Sequence, residues 1–360
     1  MREALKSQRR RLLLVPAIAT ALLAVVASSA QASHRAPAAK EPAAKPVSAA
    51  AWRAIVAKAK QEGSLTVYTI QSPVTVAAAA AKFKELYGIS VTVNRNVDAV
   101  LLPQINAEEK TGNAIADVWV TTSKGIVLGA LKNKWVADAV GPNLFKKRFD
   151  RSKWTLGKAF IQGLSTLGIA WNTQAVPQGV KDIPDFLSPT FAGGKLGVID
   201  PSISVSAVAF YDWLQKTYGA SILQKLAAQK PKIYTSSLPM TQAVESGEIV
   251  GGTFTVGTAL DDRASKGAPI DFKLPNNGNS FNSSYLTMIL KQAPHPNAAQ
   301  LWANFVMSPG GQTLINRRFG AVYPNLPDTF YAQPYKIRLN DYTQPKVNAF
   351  LDKWNALFKK

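Results

Sequence analysis

Apolar and polar positions follow a readable order over Leu65–Val93, LTVYTIQSPVTVAAAAAKFKELYGISVTV. Leu65, Val67 and Tyr68 make a β-branched and aromatic run that predicts a buried strand, and Thr69, Gln71, Ser72 and Pro73 interrupt it as a polar loop. An alanine-rich stretch then predicts a helix stopping at Gly88, and alternation resumes as a second strand from Ile89. This is a β-loop-α-β unit. In open sheets built from such units, the loop at the carboxyl end of a strand faces a crevice where ligands are held. Thr69, Gln71 and Ser72 are therefore candidate ligand contacts, uncharged and without an obvious nucleophile.

The same grammar extends in both directions. A short helix at about Ala51–Glu62, stopped by Gly63, precedes the unit; after it come a loop over Asn94–Asp98, a helix over about Ala99–Glu109 and a buried strand Ala116–Val120. That strand runs into Thr121, Thr122 and Ser123, which can cap the next helix and also form a second lip of the crevice. Leu164–Thr173 and Leu196–Ile199 read as strands. After the second, Ser202, Ser204 and Ser206 lead into a helix over about Ala207–Tyr218, where free N–H groups and the positive dipole end favour an anion. Three serines exceed what one cap requires. Helices follow at about Ile222–Gln229 and near Met240–Ser246, then a strand Ile249–Val256 and a turn-rich stretch Lys273–Ser280. An extended run Phe281–Leu290 adds Asn282 and Tyr285 to the candidates, and helices Pro296–Met307 and Gly311–Phe319 come after it. Val347, Phe350, Leu351, Trp354, Leu357 and Phe358 form an apolar stripe of a terminal helix docked on the core.

The beginning of the chain changes the compartment. Arg2, Lys6 and Arg9–Arg11, the apolar Leu12–Val26 and the A-x-A site Ala30-Gln31-Ala32 predict a signal peptide over residues 1–32 and a periplasmic or secreted protein cleaved near Ala32. Residues 33–50, rich in Ala, Pro and Lys, read as a flexible spacer. With no cysteine, the exported chain has neither a disulfide nor a lipid-modified cysteine, so it is not a lipoprotein. About 320 residues remain, enough for two domains.

Net charge is +20, and the leader's five basic residues and one acidic residue leave +16 on the rest. Such a field attracts anions. The basic residues are scattered, without aromatic interleaving or a zinc or helix-turn-helix signature, so nucleic acid is not the expected partner. Only His34, in the spacer, and His295, between prolines, exist. A Ser-His-Asp hydrolase would have to use His295, and no G-x-S-x-G elbow accompanies it, so no catalytic residues are assigned. Glu108-Glu109 and Asp261-Asp262 read as solvated surface, and no metal cluster, phosphate-gripping loop or cofactor site is expected. The candidate loops hold hydroxyls and amides with almost no carboxylates, which disfavours a buried cation and points to a small organic anion, with Arg95, Arg263 and Tyr285 available for counter-charge or stacking.

Several phrases, in order, resemble the extracellular solute-binding proteins of ABC importers, in the branch that includes ferric-ion and phosphonate binders: GSLTVY at Gly63–Tyr68, ADVWV at Ala116–Val120, LGIAWNT at Leu167–Thr173, LGVIDP at Leu196–Pro201, APHP at Ala293–Pro296 and NFVMSPGGQ at Asn304–Gln312. The resemblance implies an α/β, two-lobed periplasmic-binding-protein fold of type II-like form. Each lobe would be a mixed sheet flanked by helices, joined by two crossing strands at Leu167–Thr173 and Phe281–Leu290. Lobe one would comprise 51–170 plus 281–360, and lobe two 174–279. It also implies a monomeric receptor that hands its ligand to an ABC permease in the inner membrane. Ferric-binding members carry adjacent tyrosines near the stretch that here reads Gly252–Gly257, and many a histidine where Gln71 stands; this chain has no Tyr-Tyr pair, which argues against bare ferric ion. A ferric-ion or ferric-complex binding protein, a secreted hydrolase and a surface adhesin are the alternatives.

Overall fold

Ser48 and Gly63 set the limits of the first helix. The Ser48 Oγ accepts from the Ala51 N–H at 3.2 Å, and Gly63, at φ 69°, takes the left-handed turn that a side chain resists. The computed structural model describes residues 45–330 and 342–359. The signal segment, His34 and spacer residues 33–44 lie outside the described residues, and the spacer's last two positions already belong to the helix.

In chain order the elements are α1 (Ala49–Glu62), β1 (Ser64–Thr69), α2 (Pro73–Tyr87), β2 (Ser90–Arg95), α3 (Asp98–Thr111), β3 (Val118–Thr121), α4 (Lys124–Lys132), β4 (Val136–Ala137), α5 (Arg151–Trp154), β5 (Thr155–Leu156) and β6 (Ala159–Asn172). Then come β7 (Leu196–Ile199), α6 (Val205–Tyr218), α7 (Ile222–Ala228), β8 (Lys232–Tyr234), α8 (Ser237–Glu245), β9 (Gly251–Val256), α9 (Ala259–Lys266), β10 (Ile270–Lys273), β11 (Asn282–Leu290), α10 (Pro296–Val306), α11 (Pro309–Ile315) and α12 (Gln344–Phe358).

Two mixed sheets result. In the first, β2, β1 and β3 run parallel, β11 lies antiparallel to β3, and the first half of β6 lies antiparallel to β11. In the second, the other half of β6 pairs antiparallel with β9 and β10, and β9, β7 and β8 run parallel. One strand thus enters both sheets: Phe160–Thr166 pair with Asn282–Thr287, and Leu167–Trp171 pair with Gly251–Val256. At the crossover the Leu167 N–H donates to Phe281 O at 3.1 Å, and the Ser280 hydroxyl donates to Leu167 O. The strand β11 itself pairs within the first sheet, so the second connection between lobes is the segment 274–281 that precedes it.

Each sheet has its own aromatic packing. Phe83 of α2 meets Trp302 edge-on at 5.2 Å and Phe305 at 5.4 Å, joining α2 to α10. Phe210 of α6 meets Phe254 of β9 at 4.9 Å and Phe281 at 5.9 Å.

Several boundaries differ from the periodicity. The strand at Leu164 begins at Ala159, because the added residues are buried on both faces and show no alternation. The strand β2 continues to Arg95, so Arg95 stands at a strand end rather than inside a loop. The helix expected from Met240 begins at Ser237, and the one expected to reach Phe319 stops at Ile315. Glu108 is not solvated: it is buried, accepting from the Tyr68 hydroxyl at 2.7 Å and from the Ile115 and Ala116 N–H groups. Asp261 likewise pairs with Arg317 at 2.8 Å and Arg318 at 3.1 Å. The terminal helix α12, expected with the first lobe, packs on α6 and α7, where Trp354 lies 5.8 Å from the Tyr211 ring and Lys359 sits 3.0 Å from Asp200.

Candidate functional site

A cavity opens between the two sheets where the loops following β1, β2 and β3 face those following β7 and β8. It leaves about 80 Å³ for the centres of water-sized spheres within about 640 Å³ of non-atom space, part of which is open to solvent. The first sheet contributes Ile70 and Ser72 after β1, Arg95 and Val97 at the end of β2, and Thr122 after β3. The second contributes Ile203, Ser204 and Ser206 after β7, and Thr235–Leu238 after β8. The floor comes from Ser165 and Leu167 of β6, Phe254 and Val256 of β9, and Ser283 and Tyr285 of β11, with Phe319 beside them.

Four of these residues, Ser72, Val97, Ser204 and Ser236, are the N-caps of α2, α3, α6 and α8. The N-termini of two helices from each lobe, with the positive ends of their dipoles, thus meet at one space. Ser204 and Ser236 use their hydroxyls as caps, accepting from Ala207 N at 3.2 Å and Leu238 N at 3.4 Å. Ser72 does not: Pro73 follows it, its Oγ makes no cap bond, and that Oγ is buried at the cavity without a partner. The Ser206 hydroxyl donates to Thr122 O at 3.3 Å, linking the lobes across the mouth.

Among the described residues Arg95 is the single charged one lining the cavity; no described Asp, Glu, Lys or His does so. Burial pulls its guanidinium below the ordinary arginine value, and among the described residues no carboxylate forms an ion pair with it. Its Nε is buried without a partner. Burial pushes the Tyr285 hydroxyl up to about 12, partly offset by Ser165 and the Arg95 charge. The phenol is therefore neutral and available as a donor at neutral pH.

The residues expected at the site divide. Ser72, Thr122, Ser204, Ser206 and Tyr285 line the cavity, as does Arg95. Thr69, Gln71, Thr121, Ser123, Ser202 and Asn282 do not. Gln71 is held inside the first lobe, donating to Ile315 O at 2.8 Å and accepting from Gln162 Nε2 at 2.7 Å. Thr69 and Thr121 accept from the N–H groups of Gln71 and Ser123, shaping their own turns, and Ser123 caps α4. The Ser202 N–H is taken by Asp200, and Asn282 is buried beside Ser280. Arg263 stands on α9 paired with Asp271 at 2.5 Å, away from the cavity. Ser165 and the run Thr235-Ser236-Ser237 lie outside the candidate loops that the pattern gives, whereas Ser283 falls within the candidate stretch Asn282–Tyr285; a hydroxyl triplet between a strand and a helix is the signal that marks Thr235–Ser237.

His295 belongs to a different place. Its Nδ1 lies 3.0 Å from Asp117 Oδ2 and its Nε2 lies 3.2 Å from Ser64 Oγ. This order resembles a hydrolytic triad, but Ser64 opens β1 at the end opposite the cavity, and none of the three lines it. Asp117 also accepts the Thr66 and His295 N–H groups at 2.7 and 2.6 Å, so the cluster ties β1, the approach to β3 and the start of α10 together. Among the described residues no group of three or more His, Asp or Glu could hold a metal ion, and no helix is long and apolar enough to cross a membrane.

The solved structures of similar fold include iron-bound HitA from Pseudomonas aeruginosa, at 19% identity and a TM-score of 0.61, covering 82% of this chain and 99% of that one. AfuA from Actinobacillus pleuropneumoniae, a periplasmic binding protein with fructose-6-phosphate bound, matches at 20% identity and 0.65, with 82% and 99% covered. The substrate-binding protein of an ABC transporter from Agrobacterium tumefaciens matches at 18% and 0.70, with 82% and 94% covered. At such identities the likeness establishes the two-lobed fold. No curated protein sequence matches the chain. The model of the bacterial extracellular solute-binding protein family matches residues 65–320, so with the cavity between two sheets and the fold in place, the chain belongs to that family.

Proposed function

We propose that this protein is an extracytoplasmic receptor that binds a small organic anion between its lobes and delivers it to an ABC permease. The observation that carries the anion is the cavity's lining among the described residues: one guanidinium without a carboxylate partner, four helix N-caps and the unpartnered Ser72 hydroxyl, with no acidic side chain. A cationic ligand would be buried there without a counter-charge, at heavy cost. An anion meets a charge-assisted donor and oriented N–H groups.

On this reading lobe one is the first sheet with its helices, lobe two spans about residues 174–279 with α12 docked on it, and β6 with the segment 274–281 forms the hinge. Signal cleavage near Ala32 releases a monomer into the periplasm or medium, without a lipid anchor. The ligand leaves chemically unchanged. Ferric ion in the manner of HitA is less well served, since among the described residues Tyr285 is the one tyrosine lining the cavity and no carboxylate or imidazole accompanies it.

A thermal-shift panel of organic anions, polyamines, neutral sugars and ferric salts tests the proposal. A ligand at a hundred times its Kd adds about 2.7 kcal/mol to stability, so an anion is expected to raise Tm by several degrees. Stabilisation by polyamines, sugars or ferric salts alone would contradict it.

A further inference from the structure

We infer that the anion is amphipathic: a single anionic head on an apolar body, rather than an inorganic oxyanion or a polyhydroxylated phosphate ester. The inference rests on the receptor reading and specifies its ligand class.

The cavity is not uniformly polar. Eight of its nineteen lining residues are apolar, and they come from both lobes. Phe254 and Val256 of β9 and Leu238 of α8 stand on one side; Phe319, Ile70 and Val97 stand on the other. Phe254 occupies the Gly252–Gly257 stretch, and the Phe210 edge holds it at 4.9 Å; Phe319 is held against the Tyr285 ring at 6.1 Å. Both phenylalanines are almost fully buried, so they form a fixed apolar wall rather than mobile rim groups. A site for a bare oxyanion has no use for such walls, because every face of that ligand needs a donor. A ligand carrying hydroxyls all round would leave some of them unpaired against Phe254 and Phe319, which is penalised. Arg95 is the one charge among the eleven polar residues lining the cavity, and with the buried, unpartnered Ser72 hydroxyl and the Tyr285 phenol it suits one anionic head group.

Calorimetry on the full-length exported chain with five probe types tests this: straight-chain monocarboxylates from acetate to octanoate, benzoate, inorganic sulfate and phosphate, fructose 6-phosphate, and the neutral alcohols matching the acids. Affinity is expected to rise about fourfold per added methylene until the cavity fills, with a negative heat-capacity change. The alcohols should bind at least tenfold more weakly than their acids. Leu238→Ser, on a half-buried helix end, should flatten the chain-length slope; Phe254→Leu, which keeps the core filled, should selectively weaken benzoate. Arg95→Gln should lower the whole carboxylate series together. A flat series, or sulfate, phosphate or fructose 6-phosphate binding more tightly than every apolar acid with loss on Arg95→Gln, would overturn the inference and leave the receptor reading in place. If no anion of either kind binds, the receptor reading falls with it.

Discussion

Gln162 Nε2 donates to Gln71 Oε1 at 2.7 Å, which ties the loop after β1 to the long strand β6 from inside the first lobe. Around that bond, Gln312 and Asn316 each donate to Gln162 O at 2.8 Å, Gln71 donates to Ile315 O, and the Val322 N–H reaches Gln312 Oε1. All four amide side chains are buried. Such a network fixes the floor under Ser72 and Ser165 without touching the cavity.

Truncating Gln71 is therefore a stability experiment. Gln71→Ala strands the Gln162 amide and Ile315 O, and should cost roughly 2–4 kcal/mol in urea unfolding. Ligand affinity of the folded fraction should change less than about threefold. Gln71→Leu combined with Gln162→Leu should cost less than the sum of the two single changes, because each alone leaves a buried partner unpaired. Unchanged stability with a large affinity loss would instead put Gln71 on the ligand.

Asp98 gives the protein a pH dependence of stability. Burial at the start of α3 raises its carboxyl to about 6 from the usual 3.8, and the Thr121 hydroxyl and Thr122 backbone offset this only in part. The folded state then holds a proton that the unfolded chain releases near pH 4, so the favourable contribution is complete below that and disappears as pH rises through about 6. By pH 7 the charged form costs roughly 3 kcal/mol. Asp98→Asn should raise Tm at pH 7–8, with the gain shrinking to near zero below pH 4. Glu245, also raised to about 6 by burial and by Asp262, titrates in the same window, so the difference between the two proteins is the quantity to plot. A gain independent of pH would contradict this assignment.

Trp354 anchors α12 to the second lobe. It is 1% exposed, stacks on Phe358 at 4.6 Å and packs against Tyr211. Trp354→Ala should destabilise by roughly 3–5 kcal/mol, and hydrogen exchange should accelerate first in α6, α7 and α12. Acceleration in α10 and α2 with α6 unaffected would place the helix elsewhere.

The Ser64–His295–Asp117 cluster is structural on this account. His295→Ala deprives the fully buried Asp117 of one partner and should lower stability by about 1–3 kcal/mol. Hydrolysis of p-nitrophenyl acetate should proceed at the same slow rate in the parent, His295→Ala and Ser64→Ala. Turnover that vanishes in both variants would reopen the hydrolase reading.

The legible part of the molecule was the part governed by local pattern. Leu65–Val93 and Leu196–Ile199 alternate or punctuate cleanly, and Gly63 and Gly88 end helices as read. The cavity lining is legible where a strand ends in a hydroxyl before a helix, as at Ser72, Thr122, Ser204 and Ser206. The bond from Gln162 to Gln71 is not legible locally, because the two stand 91 residues apart and no local rule distinguishes an amide aimed at a cavity from one aimed at β6. Ser165 lies in a strand buried on both faces, where periodicity assigns no side. Thr235–Ser237 follow a strand of only three residues, and Pro239 inside α8 made the helix seem to start later. The docking of α12 depends on Tyr211 and Asp200, neither of which its own stripe specifies.

The most direct test of the central claim, an anion gripped between lobes by Arg95, is isothermal titration of the best anion from the panel into the parent and Arg95→Gln proteins. The account predicts one ligand per chain for the parent and a loss of about 2 kcal/mol or more for the variant, roughly thirtyfold in Kd, at a Tm within about two degrees. Equal affinity of the two proteins would contradict it.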